Sequence, residues 1–311
     1  MILGRALLAA TVAVFLPATL PAAPHAATSP GNVVFMSWNV RNYILQPARD
    51  ANGRPEAPPK AEESIAALVV TMTKTSPDIL GLCEIGTRRD LADLQGRLKN
   101  AGLDLPHSLW VDGGDQSRHL ALLSRYPLES VKSAEAHGFV LGGLPREVRR
   151  GFLDCVVKVR PGFDLRVLGA HFKSRRVVPE FDQAEFRRQE SLVLRRHMES
   201  ILQADPSTRL LLFGDFNDTK NSPAVSGLLG RPGAASAMSL LPLTDSLGDS
   251  WTYRWEESDE YSRVDFVMVS TKLRPLVDRR RSRLPRTPNW HKASDHRPLV
   301  VTLKLPPSST P

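Results

Sequence analysis

Residues 210–218 read LLLFGDFND. Three leucines and a phenylalanine make a short apolar run, the pattern of a buried strand. Gly214 breaks the run, and Asp215, Asn217 and Asp218 follow. A buried strand that empties into such a turn delivers a carboxylate and an amide to the rim of a sheet, where a rigid scaffold meets its ligands. The same residue types also build ordinary strand-end turns. The stretch therefore gains its meaning from other runs that end the same way.

Several do. VVFMSWNV, residues 33–40, ends at Asn39 and is followed by Arg41 and Asn42. Ile79–Cys83 runs into Glu84, and Leu165–Ala170 into His171, Lys173, Ser174 and Arg175. Ser262–Val269 carries Asp265 among apolar neighbours, and a buried carboxylate there requires a partner. The closing strand, Leu299–Leu305, is preceded by Ser294-Asp295-His296-Arg297-Pro298. Further strands are expected at Trp110-Val111 and Leu120–Ser124 as a hairpin, at Val131–Leu141 before a Gly-Gly-Leu-Pro loop, at Phe152–Val159, and at Trp251–Trp255. Apolar residues at helical spacing predict helices over Ala61–Thr73, Arg88–Ala101 and Asp182–Gln203, the last with Asp182 and Glu185 as a capping box. Gln46–Lys60, Asn221–Ser239 and Arg279–His291 read as loops.

The 311 residues are 41% hydrophobic and 24% charged, ordinary for a globular chain with a sizeable core. A net charge of +8 and a pI near 9.8 point to an anionic partner: nucleic acid, a phosphorylated small molecule or an acidic membrane surface. The run Arg279, Arg280, Arg281, Arg283 and Arg286 reads as a solvated basic loop. Residues 1–27 have the layout of a secretory signal: Arg5, the apolar stretch Ala6–Leu16, and small residues from Ala22 to Ala27 for cleavage. The expectation is a secreted or periplasmic protein whose mature domain is 28–311, with its core at about 33–305. Only Arg5 among the Lys, Arg, Asp and Glu residues would leave with the signal. No later segment is long and apolar enough to span a bilayer. Cys83 and Cys155 fall inside core strands and read as buried thiols, and no Cys or His spacing resembles a zinc site.

Asn39, Glu84, His171, Asp215, Asn217, Asp265, Asp295 and His296 are scattered in sequence, yet each abuts an apolar run. If the strands pack in two layers their ends can converge. Carboxylates and amide oxygens suit a hard cation such as Mg²⁺ or Mn²⁺. Histidines donate to phosphate oxygens or move protons. The set has the chemistry of metal-assisted phosphate-ester cleavage.

WNVRNY, LCEIG, GAHFKSR, GDFND, VDFVMV and SDHRP occur in the order and near the spacing of the endonuclease/exonuclease/phosphatase superfamily, which the chain resembles over about residues 33–305. The resemblance implies a four-layer α/β sandwich: two mostly antiparallel sheets packed face to face, with flanking helices. It implies Glu84 as the principal metal carboxylate, with Asn39 and Asp295 as its partners. Asp215 would orient or deprotonate the attacking water, Asn217 would contact the phosphate, and His171 would donate to a phosphate oxygen. His296 would be the catalytic histidine, oriented by Asp265. The cofactor would be Mg²⁺, or Mn²⁺, with Ca²⁺ a further option. Arg150 and Lys173 are candidates for substrate phosphate, the alternative being a solvated basic face. Arg41 stands where apurinic endonucleases carry an acid, a departure from the abasic-site repair pattern. The expected function is a secreted, monomeric phosphodiesterase acting on nucleic acid by in-line attack of water. The alternatives are a phosphatase or lipid phosphodiesterase of inositol phosphate or sphingomyelin type, and a non-catalytic binding module.

Overall fold

The computed structural model describes residues 31–47, 49, 58–131 and 138–307. The expected signal segment lies outside these residues, as do most of the loop expected at 46–60 and residues 132–137 of the strand expected at 131–141.

In chain order the elements are β1 (Asn32–Tyr43), α1 (Glu62–Thr75), β2 (Ile79–Ile85), α2 (Arg88–Asn100), β3 (His107–Trp110), β4 (His119–Ser124) and β5 (Leu128–Ser130). There follow β6 (Gly138–Leu141), β7 (Leu144–Glu147), β8 (Phe152–Arg160), β9 (Phe163–His171), α3 (Gln183–Ala204) and β10 (Leu210–Asp215). The remainder comprises α4 (Pro223–Ser226), β11 (Met238–Leu240), β12 (Tyr253–Trp255), β13 (Glu260–Ser262), β14 (Asp265–Ser270), α5 (Trp290–Ala293) and β15 (Leu299–Lys304).

Among the described residues, β15-β1-β2-β4-β3 form one large sheet and β11-β14-β10-β9-β8-β5 the other. Each sheet is antiparallel except for one central pair, β1 with β2 and β9 with β10. Between the sheets lies an apolar layer that includes Phe35, Cys83, Leu120, Cys155, Val167 and Phe213. The outer face of the first sheet packs on α1 and α2 through Met36, Leu80, Leu68 and Leu94; the outer face of the second packs on α3 through Leu212, Phe266, Leu194 and Met198. Alternating strand residues thus face two different cores, which is why both sheets read as continuous apolar runs. Both cysteines are buried free thiols, as expected. No helix among the described residues is long and apolar enough to cross a membrane.

Close approach of the sheets depends on two glycines. A Cβ at Gly81 of β2 would stand 2.6 Å from the Phe213 ring, and one at Gly169 of β9 would stand 2.7 Å from it. Phe213 of the LLLFGDFND strand therefore fills the space that these positions leave empty.

Local expectations were corrected in three places. The Gly-Gly-Leu-Pro stretch is not a loop after a long strand. Gly142 and Gly143, both at positive φ, turn a short hairpin whose second arm is β7. The Trp251–Trp255 strand shrinks to β12, because Trp251 packs instead on Tyr261, Trp290 and the Arg297 guanidinium. At α3 only half of the capping box forms: Asp182 accepts from the Glu185 amide, while the Glu185 carboxylate is drawn to Arg188 and Gln189.

Candidate active site

β10 places the first group. Its last residue, Asp215, is level with His171 at the end of β9 on one side and with Asp265 at the start of β14 on the other. Strand register alone therefore sets three of the expected residues in a row. The facing sheet supplies Asn39 and Glu84 from neighbouring strands. Pairing of β1 with β2 is regular through Asn39 and Cys83, then shifts before Tyr43 and Ile85. Glu84 sits in that irregularity with φ at 64°, and Arg41 and Asn42 opposite it also have positive φ. Such backbone is costly for side-chain-bearing residues and persists where surrounding bonds hold it. Here the Asn42 amide donates to Glu84 Oε2 at 3.0 Å.

Asn39 ties the two sheets together. Its Nδ2 donates to Glu84 Oε1 at 3.2 Å and to Asp215 Oδ2 at 3.0 Å, while its Oδ1 accepts from the Arg41 amide at 2.9 Å. His171 Nε2 lies 3.5 Å from Asp215 Oδ2 and 3.8 Å from Glu84 Oε1. His296 Nε2 lies 3.8 Å from the same Asp215 oxygen, and its Nδ1 is bonded to Asp265 Oδ2 at 2.8 Å. The SDHRP segment is held by bonds to β1 and by one bond within itself. Trp38 donates its indole N–H to the His296 carbonyl, Ser294 Oγ donates to the Asn39 carbonyl, and the His296 amide donates back to Ser294 Oγ. Thr252 Oγ1 accepts from the amides of Val264 and Asp265, fixing the carboxylate behind the histidine.

Burial sets the electrostatics. It pushes the Asp215 carboxyl upward, with Asp265 adding to the rise and His296 opposing it. Burial alone would keep His296 neutral, but Asp265 and Asp215 outweigh it and raise the imidazole above its ordinary value. His171 goes the other way: burial, then Arg150, His296 and Arg118, hold it well below the ordinary range. One histidine is therefore inclined to carry charge and the other to stay neutral.

The structure brings together Asn39, Glu84, His171, Asp215, Asp265 and His296. Asn217 stands at the rim with φ at 51°, its amide held to Asp215 Oδ1 and its Nδ2 donating to the Phe172 carbonyl at 3.0 Å. Asp295 is paired with Arg41 at 3.5 Å. Asn39, expected to partner the metal directly or through water, has its oxygen bonded to a backbone amide and its nitrogen facing the carboxylates. For Arg150 the structure excludes the solvated basic face. It is 8% exposed, pairs with Asp115 at 3.3 Å and donates to the Phe172 carbonyl at 2.7 Å, so it shapes the loop after His171. Lys173 is half-buried among cations; burial, then Arg150 and Arg149, lower its pKa.

Sequence reasoning missed Lys60 and Arg118. Lys60 Nζ donates to the Arg41 carbonyl at 3.1 Å, and burial with Arg41 pushes its pKa down to about 8, against the pull of Asp295 and Glu84. Arg118 lies 3.8 Å from Glu84. Neither carried a signal, because a lone basic residue just before an expected strand or helix reads as an ordinary surface charge.

Asn39 Nδ2 holds the Glu84 and Asp215 carboxylates side by side, and Asn42, whose backbone amide binds Glu84, carries a buried Oδ1 without a partner. This donor set fits a hard divalent cation. Asp215, Asp265 and His296 also lie close enough to ring an ion. There His296 Nδ1 is committed to Asp265, which leaves its Nε2 to face Asp215.

Comparison with known proteins identifies the family and the fold. The family model described as "Endonuclease/Exonuclease/phosphatase family" matches residues 36–296. No curated protein sequence matches the chain. Among solved structures, the human Nocturnin catalytic domain is 17% identical with a TM-score of 0.59, covering 88% of this chain and 95% of that one. Truncated TDP2 from Caenorhabditis elegans is 18% identical at TM-score 0.58, covering 88% and 98%. An endonuclease/exonuclease/phosphatase from Bacteroides vulgatus is 17% identical at 0.58, covering 88% and 99%. At such identities these structures establish the fold alone. The family match over residues 36–296 settles the class: the chain belongs to the endonuclease/exonuclease/phosphatase family and is a metal-dependent hydrolase of phosphate esters.

Proposed function

We propose that the protein is an exported phosphodiesterase whose substrate is nucleic acid, and that one Mg²⁺ ion, replaceable by Mn²⁺ and in some measure Ca²⁺, serves it. The observation that carries this reading is the single Asp215 oxygen approached by Asn39, His171 and His296 across two sheets. Glu84 and Asp295 would hold the metal, with Asn39 fixing the Glu84 carboxylate. A divalent cation, when bound, neutralises charge on a phosphate oxygen. Asp215 orients the attacking water and takes its proton, and its raised pKa suits that task. His296, kept protonated and aligned by Asp265, donates to a phosphoryl oxygen. His171 supplies a neutral donor from the opposite side, and Asn217 offers the amide hydrogen that Phe172 does not use. All these groups come from one chain, in keeping with a monomer.

Nucleic acid is favoured by the net charge of +8 and by the cations around His171, namely Arg118, Arg149, Lys173 and Arg175. A lipid phosphodiester is the second reading. The β6–β7 hairpin exposes Val140 by 66% and Leu144 by 55% next to the cations Arg146 and Arg149, an arrangement suited to an anionic lipid surface. A panel of plasmid DNA, RNA, bis-p-nitrophenyl phosphate, sphingomyelin vesicles and inositol phosphates, each with Mg²⁺, Mn²⁺ or Ca²⁺, separates the readings. The expected result is nucleic-acid cleavage lost with chelator and in E84Q and H296A. Sphingomyelin turnover without DNA or RNA cleavage would reverse the ranking, and activity surviving in both variants would remove the catalytic assignment. Export rests on residues 1–27, and N-terminal sequencing of the secreted protein should find a start just beyond Ala22 to Ala27.

A further inference from the structure

A cavity of about 750 Å³, within the range of pockets that hold small ligands, opens where His119 of β4 pairs with Ile85, the residue after Glu84. Its walls come from the start of α2, the end of β3 and the start of β4, and include Arg88, Arg89, Trp110 and His119. The Arg88 guanidinium lies 4.6 Å from the centre of the Trp110 ring, and the His119 ring lies 4.3 Å from it. Trp110 satisfies its own N–H on the Gly86 carbonyl, two residues beyond Glu84, and so presents an apolar ring. His119 is 5% exposed, and its Nδ1 has no hydrogen-bond partner. Arg88 and Arg89 are exposed and pair with no carboxylate among the described residues. The acids of the wall are mostly spoken for. Asp90 accepts from Thr87 and Leu45, and Asp115 accepts from Ser117, Arg118 and Arg150. Only Asp112 stands exposed at the rim.

A flat aromatic group beside two guanidinium groups that no carboxylate neutralises recognises a planar base joined to an anion. We propose that this cavity is a subsite for the nucleotide adjoining the scissile phosphodiester, with the base against Trp110 and its phosphate on Arg88 and Arg89. The proposal rests on the nucleic-acid reading above and adds to it a preference for oligonucleotides over isolated diesters.

The test compares kcat/KM for a single-stranded hexanucleotide with that for bis-p-nitrophenyl phosphate. In R88A/R89A, both truncations at exposed positions, the hexanucleotide-to-diester ratio should fall by about tenfold or more, chiefly through KM, with a shallower salt dependence. W110A should lower the same ratio by about tenfold. An unchanged ratio in R88A/R89A overturns the subsite while leaving the nuclease reading intact. A wild-type protein that hydrolyses the diester but no oligonucleotide overturns both. If W110A slows both substrates alike, Trp110 only shapes the Glu84 loop through Gly86, and the stacking role falls.

Discussion

At the scale of single residues, the site is a set of short bonds whose removal has calculable effects. Asp265 shows this best. Its carboxylate is buried, its backbone amide is fixed by Thr252, and its one strong side-chain bond is to His296 Nδ1 at 2.8 Å. Replacing it with asparagine keeps the volume but removes the charge that raises the His296 pKa and fixes its tautomer. D265N should therefore lower kcat by about 10²–10⁴, the span attributed to a positioned acid or base, with little effect on KM. A kcat within about tenfold of wild type in steady-state assays would show that the pair is structural. Asp265 stood out in the sequence because a carboxylate inside an apolar strand demands a partner; its pairing with His296 was an expectation from the family resemblance. The orientation of the Asn39 amide, the burial of Arg150 and the positive φ of Glu84 were not, because each depends on contacts between the two sheets.

At the scale of elements, the spacing of the sheets and the grip of α3 on the site loops can be tested separately. Gly81 has ordinary backbone angles, yet a Cβ there would meet three atoms of the Phe213 ring at 2.6–2.9 Å. The ring is fully buried and cannot yield cheaply, so G81A should cost about 1–3 kcal/mol by overpacking. Chemical denaturation checks this, and an unchanged unfolding midpoint would mean that the sheets slide apart freely. On the other face, α3 holds both loops that follow the site strands. Glu190 accepts from the Lys173 amide at 2.7 Å, and Arg187 pairs with Asp218 at 2.9 Å. Burial raises the Glu190 carboxyl from 4.5 to about 7, against the opposing pull of the Lys173 amide, Arg150 and Arg187. The folded protein then binds this proton more tightly than the unfolded chain does. Its stabilising contribution is full below about pH 4.5 and is lost as pH rises through about 7. E190Q keeps an acceptor for the Lys173 amide without that loss. Its urea midpoint relative to wild type should rise between about pH 5 and pH 8; a constant difference would place the proton elsewhere. The sequence showed α3 as a helix with an apolar stripe, but the clamp was illegible because its partners lie in loops whose course is set by tertiary packing.

At the scale of the whole molecule, the question is which of its many cations face the substrate. Composition records only the total, and the densest run in sequence, Arg279–Arg286, lies away from the catalytic row. Arg283 bridges Val300 of β15, Arg281 lies near Asp278, and Arg286 pairs with Asp245. The cations on the His171 face come instead from three segments: Arg118, which acts on His171, Arg149, which acts on Lys173, and Lys173 and Arg175, which follow His171 in sequence. A polynucleotide held by that second group releases counterions, and its log affinity falls with log salt by about 0.9 for each duplex phosphate neutralised. The expected outcome is a steep fall of kcat/KM for plasmid DNA as salt rises, with a much weaker fall for bis-p-nitrophenyl phosphate. R149A/K173A should flatten the DNA dependence by about one to two slope units, whereas R281A/R283A should leave it unchanged. If the second pair flattens the slope and the first does not, DNA runs along β15, and the face that carries His171 is not where the strand is held.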